Sequence, residues 1–219
     1  MEIHLIPEDW PLADQLLPLA HSVVDRLELA ELLHRLDLIP DALQADERSW
    51  LSLDRAAAGA GLSLWFHPDQ VLRDRPGHGP ARPENRDWEL APAPRQEQVL
   101  DPGEFSLPNA QRFLYQQLLL IRDILGGRLH PEKVPPSLLE AFQEAWLVTV
   151  DGRLQREVLP HLSAAERRMR FLRLFSPAGV LTPSHWSIFN ALWEGEVAEE
   201  GEVLAKVRLL PPLRRRRRV

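Results

Sequence analysis

Two adjacent glutamines have the position and polarity to form a site inside an otherwise apolar helical segment. Gln116 and Gln117 interrupt the run of residues 111–125, which reads QRFLYQQLLLIRDIL. On a helical wheel of about 100° per residue, Gln117 falls near the middle of the apolar arc and Gln116 falls at its edge. A buried amide without a partner costs about 1–3 kcal/mol, so we expect Gln117 to form a specific hydrogen bond.

Acidic residues repeat along one side of a second predicted helix, at residues 137–156. Glu140, Glu144 and Asp151 share a stripe about 40° wide at the same step per residue. A functional role for this stripe competes with a commoner origin, which is a solvated acidic helix face. Both interpretations stay open at the level of the sequence.

Familiar catalytic and metal-binding motifs are absent from the sequence. The chain has no cysteine, which excludes disulfides, thiolate metal sites and cysteine nucleophiles. It contains no GxSxG, GxxxxGKS/T or GxGxxG motif. Its eight histidines form no His-x-His or His-x-x-x-His pair, although distant histidines could still assemble a metal site. We therefore expect neither a bound metal ion nor another cofactor.

The charge distribution separates an acidic body from a basic C-terminus. The 219 residues carry a net charge of -6, and Arg214–Arg218 contribute +5, which leaves -11 for the remainder. A terminal block of like charge is typically disordered, and an acidic body repels nucleic acid, so we do not expect a nucleic-acid partner. The N-terminus lacks a signal-peptide pattern, and no segment has about 18 uninterrupted apolar residues. We expect a cytoplasmic protein without membrane insertion.

Hydrophobic spacing predicts an α+β, predominantly helical fold with a single domain at 1–210 and a disordered basic tail at 211–219. Residues 12–38 have the spacing of one or two amphipathic helices that end near Pro40. Alternation predicts one strand at Leu62–Phe66, and a proline-rich loop or flap follows near 68–108. Further helices are predicted at 109–125, 137–156, 163–175 and 183–194.

Local signals refine two of these helices. Ser163 and Glu166 form a capping-box pattern at the start of the third of them. In the second, LVTVDGRLQ contains a hairpin signal around Asp151-Gly152. The apolar residues on either side keep a helical spacing across this segment, so we favour a continuous helix.

The window Gln116-Gln117-Leu118-Leu119-Leu120 resembles the HExxH helix of the small bacterial gluzincin-type, zincin-like metallopeptidases. Glutamine, glutamine and leucine stand at the three chemical positions of that motif. In HExxH peptidases two histidines bind zinc from one helical face, and the glutamate polarises the bound water. The similar region covers about residues 60–175 and includes EAFQEAWLVTVDGRL and ERRMRFLRLF of the following helices.

The resemblance implies a zincin-like fold, in which a small sheet or edge strand packs on a helical C-terminal layer. Residues 62–66 would be the edge strand. The helix with the HExxH-like window would pack beside the second helix, with Gln117 within reach of an acidic residue. Glu144 would occupy the position of the third zinc ligand, with Asp151 and Glu140 as the next candidates.

The departures from the motif imply a catalytically inactive relative. Leucine cannot ligate zinc, an amide is a poor ligand, and Gln117 cannot act as a general base near neutral pH. The degenerate positions are Gln116, Gln117, Leu120, Glu144 and Asp151, and we expect no catalytic residue and no metal among them. Restoring the two histidines and the glutamate is predicted to create zinc binding. A groove for a peptide or protein partner could persist.

Two other classes of function stay open. The chain could be a helical protein-interaction module of unrelated fold, although Trp146, Trp186 and Trp193 have core-like spacing. It could also be a nucleic-acid-associated protein that uses the arginine-rich tail and the helical arginines Arg167, Arg168, Arg170 and Arg173. That function would give binding that weakens steeply with salt.

Overall fold

The computed structural model describes residues 1–41, 50–56, 59–73, 104–175 and 182–210. Within them, a small mixed sheet precedes a helical C-terminal region, which agrees with the predicted α+β, predominantly helical class. The strands are β1 (Glu2–Leu5), β2 (Leu33–Pro40), β3 (Trp50–Ala56) and β4 (Gly59–Phe66). The α-helices are α1 (Ala13–Arg26), α2 (Leu107–Leu125), α3 (Leu139–Arg156), α4 (Ala164–Phe175), α5 (Pro183–Glu194) and α6 (Glu200–Arg208).

The sheet has the strand order β1-β2-β4-β3. β1 pairs in parallel with β2, and β2 pairs in parallel with β4, whereas β3 runs antiparallel to β4. Parallel neighbours need a crossover connection, and α1 supplies it between β1 and β2. The predicted strand at 62–66 is part of β4 and lies inside the sheet. Its assignment as the edge strand is therefore wrong, because β3 is the strand at that edge.

The helical prediction for residues 12–38 holds only for its first part, because β2 begins at Leu33. A register shift between Leu33 and Arg35 interrupts the alternation of the strand. Because of this shift, the buried apolar side chains of the strand are Leu33, Leu36 and Leu38. The spacing between the first two is three residues, as on one side of a helix, and not two as in a regular strand. A bulged strand start thus imitates the spacing of a helix. The strands β1 and β3 and the helix α6 were not predicted.

The four helices predicted from residue 109 to residue 194 are confirmed. α3 contacts α2, α4, α5 and α6 and is therefore the central helix of this region. Asp151-Gly152 lies inside it, which excludes the hairpin. The capping box of α4 is also present, because the Glu166 N–H donates to Ser163 Oγ and the Ser163 N–H donates to the Glu166 carboxylate.

The predicted flap and tail fall largely outside the described residues, which omit 74–103 and 211–219. The residues on either side of the gap at 74–103 lie close together, since the Arg73 N–H donates to the carbonyl of Glu104 at 2.8 Å. A search of the described helices finds none with the length and apolarity that crossing a membrane requires.

Gly152 lies where α3 contacts the end of α5. A Cβ built on Gly152 would lie 2.2 Å from the carbonyl oxygen of Trp193, and a backbone atom cannot move away as a side-chain tip can. We expect Gly152→Ala to lower the free energy of unfolding by about 1–3 kcal/mol, although alanine is the better helix former. Urea denaturation measures this change. The control is Gly201→Ala in α6, where a new Cβ meets nothing within 4 Å; equal effects of the two substitutions would contradict the contact.

Candidate functional site

Two polar contacts join α2 to α3, and both come from the same side of α2. Gln116 and Asp123 are seven residues apart, close to two helical turns, so their side chains face the same neighbour. Gln116 contacts Asp151 of α3, and Asp123 contacts Trp146 and Arg153 of the same helix. The two helices are therefore adjacent, as predicted.

The first contact is a hydrogen-bonded pair of an amide and a carboxylate. Gln116 Nε2 lies 3.0 Å from Asp151 Oδ2 and 3.2 Å from Asp151 Oδ1, and it donates to this carboxylate. Gln117 is half-buried, as is Leu120. The prediction that Gln117 is the amide bonded to an acidic residue is wrong. Because α2 packs against α1 as well as α3, the centre of its apolar arc does not mark the side that faces α3.

Arg167 of α4 is the charged partner of Asp151. Its Nε donates to Asp151 Oδ2 at 2.6 Å, and its Nη1 donates to Glu144 Oε1 at 3.1 Å. The Leu162 N–H adds a hydrogen bond to Asp151 Oδ1 at 3.2 Å. The side chains of Arg167 and Asp151 are 1% and 0% exposed, and that of Glu144 is 17% exposed. We call Gln116, Glu144, Asp151 and Arg167 the guanidinium cluster.

The guanidinium cluster unites two of the three acidic residues of the predicted stripe. Glu144 and Asp151 both bind Arg167, whereas Glu140 is exposed. The stripe is therefore not wholly a solvated face. One donor of the cluster is left over, because Arg167 Nη2 is buried without a hydrogen-bond partner among the described residues.

The cluster contains two carboxyl groups but only one guanidinium. Burial raises the pKa of Glu144 and that of Asp151, and the nearby Arg167 opposes both shifts. Burial acts to lower the pKa of Arg167, but Asp151 and Glu144 outweigh it and raise that pKa, so the guanidinium stays charged. Asp151 accepts hydrogen bonds from Gln116, Arg167 and Leu162. Glu144 accepts from Arg167.

This shift predicts the pH dependence of stability. A carboxyl group whose folded pKa is raised contributes stability that is complete below its unfolded pKa and is lost as pH rises through its folded pKa. The ordinary value for Glu144 is 4.5. We therefore expect Glu144→Gln to flatten the decline in the free energy of unfolding as the pH rises above 4.5, as followed by urea denaturation at each pH.

The matched control is Glu157→Gln, at an exposed position directly after α3. It removes one carboxyl group from the surface and should keep the pH profile of the unmodified chain. If Glu144→Gln also kept the pH profile of the unmodified chain, Glu144 would take up no proton on folding.

The second contact between α2 and α3 is a buried ion pair around Asp123, which is 2% exposed. Arg153 donates from both Nη atoms to this carboxylate, with Nη1 2.8 Å from Oδ1. Trp146 Nε1 donates to Oδ2 at 2.9 Å, and Arg128 Nη1 lies 3.7 Å from Oδ1. With its oxygens engaged by these donors, Asp123 holds the two helices together and is not available to a ligand.

The zinc ion that the resemblance implies does not fit the guanidinium cluster. Leu120 offers no ligand atom, and Gln116 directs its amide nitrogen, which is not a ligand, at Asp151. Arg167 places a positive charge within hydrogen-bond distance of both carboxyl groups, and this charge repels a divalent cation. Within the part of the chain that the structure describes, no group of three or more His, Cys, Asp or Glu side chains could hold a metal.

The described part of α4 offers little to a nucleic acid. Arg167 is buried in the cluster and cannot reach a phosphate. Arg168 lies over two rings of α5, with its guanidinium carbon 5.2 Å from the centroid of Phe189 and 5.7 Å from that of Trp186. Two of the four helical arginines proposed for phosphate contacts thus have partners inside the protein. The terminal arginines lie outside the described residues.

The predicted core tryptophans are confirmed at two of three positions. Trp146 and Trp193 are 1% and 5% exposed, whereas Trp186 is half-buried beneath Arg168. Trp146 and Trp193 therefore belong to the core.

Sequence reasoning missed the role of Arg167, which it grouped with the exposed basic residues of α4. A signal was present, because Arg167, Phe171 and Phe175 recur every fourth residue and share the buried side of the helix. An arginine on the apolar side of a helix needs an acidic partner. The stripe of Glu144 and Asp151 could have suggested that partner.

Comparisons with known proteins found no relative that could assign a role to the guanidinium cluster. No protein-family model matches this chain, and no curated protein or solved structure matches it. The chemistry of the site is therefore that of the guanidinium cluster, which contains an amide, two carboxyl groups and a guanidinium where α2, α3 and α4 meet.

Proposed function

We propose that the protein is a catalytically inactive zincin-like protein that binds an extended peptide segment of a partner. The observation that carries this proposal is the contact between Gln116 and Asp151. It joins the first position of the HExxH-like window to Asp151 of the next helix, which the resemblance ranks behind Glu144 as a candidate third zinc ligand. A hydrogen bond between an amide and a carboxylate takes the place of a bridge through a metal ion.

The order of the elements also supports the proposal. A small sheet with a β-α-β unit and an antiparallel edge strand precedes α2, and α2 packs beside α3. This arrangement agrees with the small sheet and helical C-terminal layer that the resemblance implies.

Catalytic inactivity follows from the residues at the degenerate positions. Gln117 carries an amide that does not accept a proton near neutral pH, so it cannot activate water. Leu120 has no ligand atom, and Asp151 is bound to Arg167 and Gln116. None of these groups can position or polarise a hydrolytic water, so the retained activity would be binding.

The strand β3 is the candidate surface for this binding. Among the described residues it pairs with β4 alone, and Ser52 and Asp54 are exposed on it. An edge strand presents N–H and C=O groups to which an extended peptide can add as a further strand. Affinity would then come from backbone hydrogen bonds of the ligand.

A library of unstructured peptides, displayed against the full chain, tests the proposal. Each peptide that binds is synthesised again in two versions, with backbone N-methyl groups on the odd or on the even residues. Because alternate N–H groups of an added strand face the edge strand, one version should lose binding and the other should keep it. Equal affinity of both versions, or no peptide that binds, would contradict strand addition.

A separate assay tests inactivity. The peptides that bind are incubated with the chain in the presence of zinc, and the products are followed by mass spectrometry. We expect intact peptide. Cleavage that disappears in a Gln117→Ala variant would overturn the proposal of an inactive protein.

A further inference from the structure

We propose that Arg167 is the permanent cation of the guanidinium cluster and that it closes the cluster to divalent metal ions. This inference rests on the contacts of Arg167 and does not depend on the proposed peptide binding. It rests on the zincin-like part of the proposed function and explains why the cluster would bind no metal, which goes beyond the absence of two histidines. A guanidinium group supplies the positive charge that the buried carboxyl groups require.

The contacts of Arg167 engage both carboxyl groups at once. Its Nε and Nη1 point to different acids, with distances of 2.6 Å to Asp151 and 3.1 Å to Glu144. A metal ion that binds Asp151 must replace these ion pairs. Arginine remains protonated in proteins, so it cannot yield its place by losing a proton, as lysine or histidine could.

The position of Arg167 on α4 prevents the side chain from leaving. Phe171 and Phe175 follow it on the same buried side of the helix and are 1% and 2% exposed. Their rings contact each other with centroids 4.5 Å apart, and Phe171 also contacts Phe189 of α5. Withdrawing the guanidinium would require α4 to separate from this aromatic packing.

The inference changes the expected result of restoring the motif. In the variant Q116H/Q117E/L120H, the new imidazole at position 116 would lie beside Asp151 and take over the hydrogen bond of the amide. Arg167 would still form ion pairs with both carboxyl groups. This variant alone should therefore fail to bind zinc, in contrast to the expectation from the sequence. Zinc binding should require the removal of Arg167 as well.

Zinc content and affinity of full-length variants test the inference. The triple variant Q116H/Q117E/L120H is compared with the same variant carrying R167M, by equilibrium dialysis with zinc and metal analysis. We expect no stoichiometric zinc in the triple variant. The quadruple variant should bind one zinc ion per chain, with an affinity about 100-fold higher than that of the triple variant. The reason is that an unpaired buried carboxylate destabilises the metal-free chain by several kcal/mol, and a bound zinc ion relieves this cost.

Folding of the quadruple variant is followed by circular dichroism with and without zinc. Zinc-dependent folding or a higher melting temperature would support the inference, because an ion then replaces the guanidinium. Stoichiometric zinc in the triple variant would overturn it, whether or not the quadruple variant folds. A quadruple variant that stays unfolded in zinc, or folds without binding it, would also overturn it, since the carboxyl groups would then fail to accept the ion.

Discussion

Replacing Arg167 by methionine should lower the free energy of unfolding by about 3–5 kcal/mol at neutral pH. Methionine preserves much of the side-chain volume, so the loss reflects charge and hydrogen bonding. Asp151 is fully buried, so without Arg167 its carboxylate would lack a counter-ion and its ionised form would be destabilised. Urea denaturation measures the change. The control is Arg173→Met, at an exposed position on the same helix, which should change stability by less than about 0.5 kcal/mol.

A companion variant separates the loss of the ion pair from a packing defect. Asp151→Asn removes the charge that Arg167 leaves behind, so R167M/D151N should be more stable than the sum of the two single effects predicts. We expect a coupling free energy of about 1–3 kcal/mol. Strict additivity would mean that Arg167 contributes through packing alone. The effect of R167M alone should also shrink at low pH, where Asp151 can be protonated.

The elements that were predicted correctly are those specified by local chemistry. Ser163 and Glu166 cap α4 through groups three residues apart, and the apolar spacing of α3 carries through Asp151-Gly152. Such signals act within one or two helical turns, so the sequence contains them in full. The helices α2, α3, α4 and α5 could therefore be predicted from the sequence, whereas α6 was missed.

The errors concern features that depend on pairing between distant segments. The bulge at the start of β2 is defined by its register with β4, and the short strand β1 is stabilised by its pairing with β2. The choice between Gln116 and Gln117 has the same origin. A helical wheel shows which side of α2 is apolar, but it does not show which neighbour covers each side. Asp151 lies 35 residues beyond Gln116 and could not enter that choice.

The guanidinium cluster has a consequence for how the protein could evolve or be engineered. It joins α2, α3 and α4 through side chains of all three helices. Substitutions in the guanidinium cluster should therefore lower the stability of the fold, whether or not the chain binds a partner. Substitutions on β3 that test the proposed peptide binding should leave the cluster intact, because β3 contributes no residue to it.

Replacing Asp123 by alanine should lower the free energy of unfolding by about 3 kcal/mol. The substitution removes the acceptor for Arg153 and for the indole N–H of Trp146, both of which lie at the interface of α2 and α3. Trp146 is 1% exposed, so its N–H would be left without a partner in the core. The matched control is Glu28→Ala, which removes the acid of an exposed pair with Arg122. Exposed pairs contribute less than about 1 kcal/mol.

The partners of Asp123 allow this loss to be divided. Asp123→Asn keeps an oxygen that can accept the hydrogen bond from Trp146 but removes the charge that binds Arg153, so it should lose less than alanine does. Trp146→Phe removes only the indole donor and some packing. If the ion pair with Arg153 contributes most of the stability, Asp123→Asn combined with Arg153→Met should be less destabilising than the sum of the two single changes. In that case the effects of Asp123→Ala and Trp146→Phe should be nearly additive. The reverse result would show that the hydrogen bond to Trp146, and not the ion pair with Arg153, holds α2 against α3.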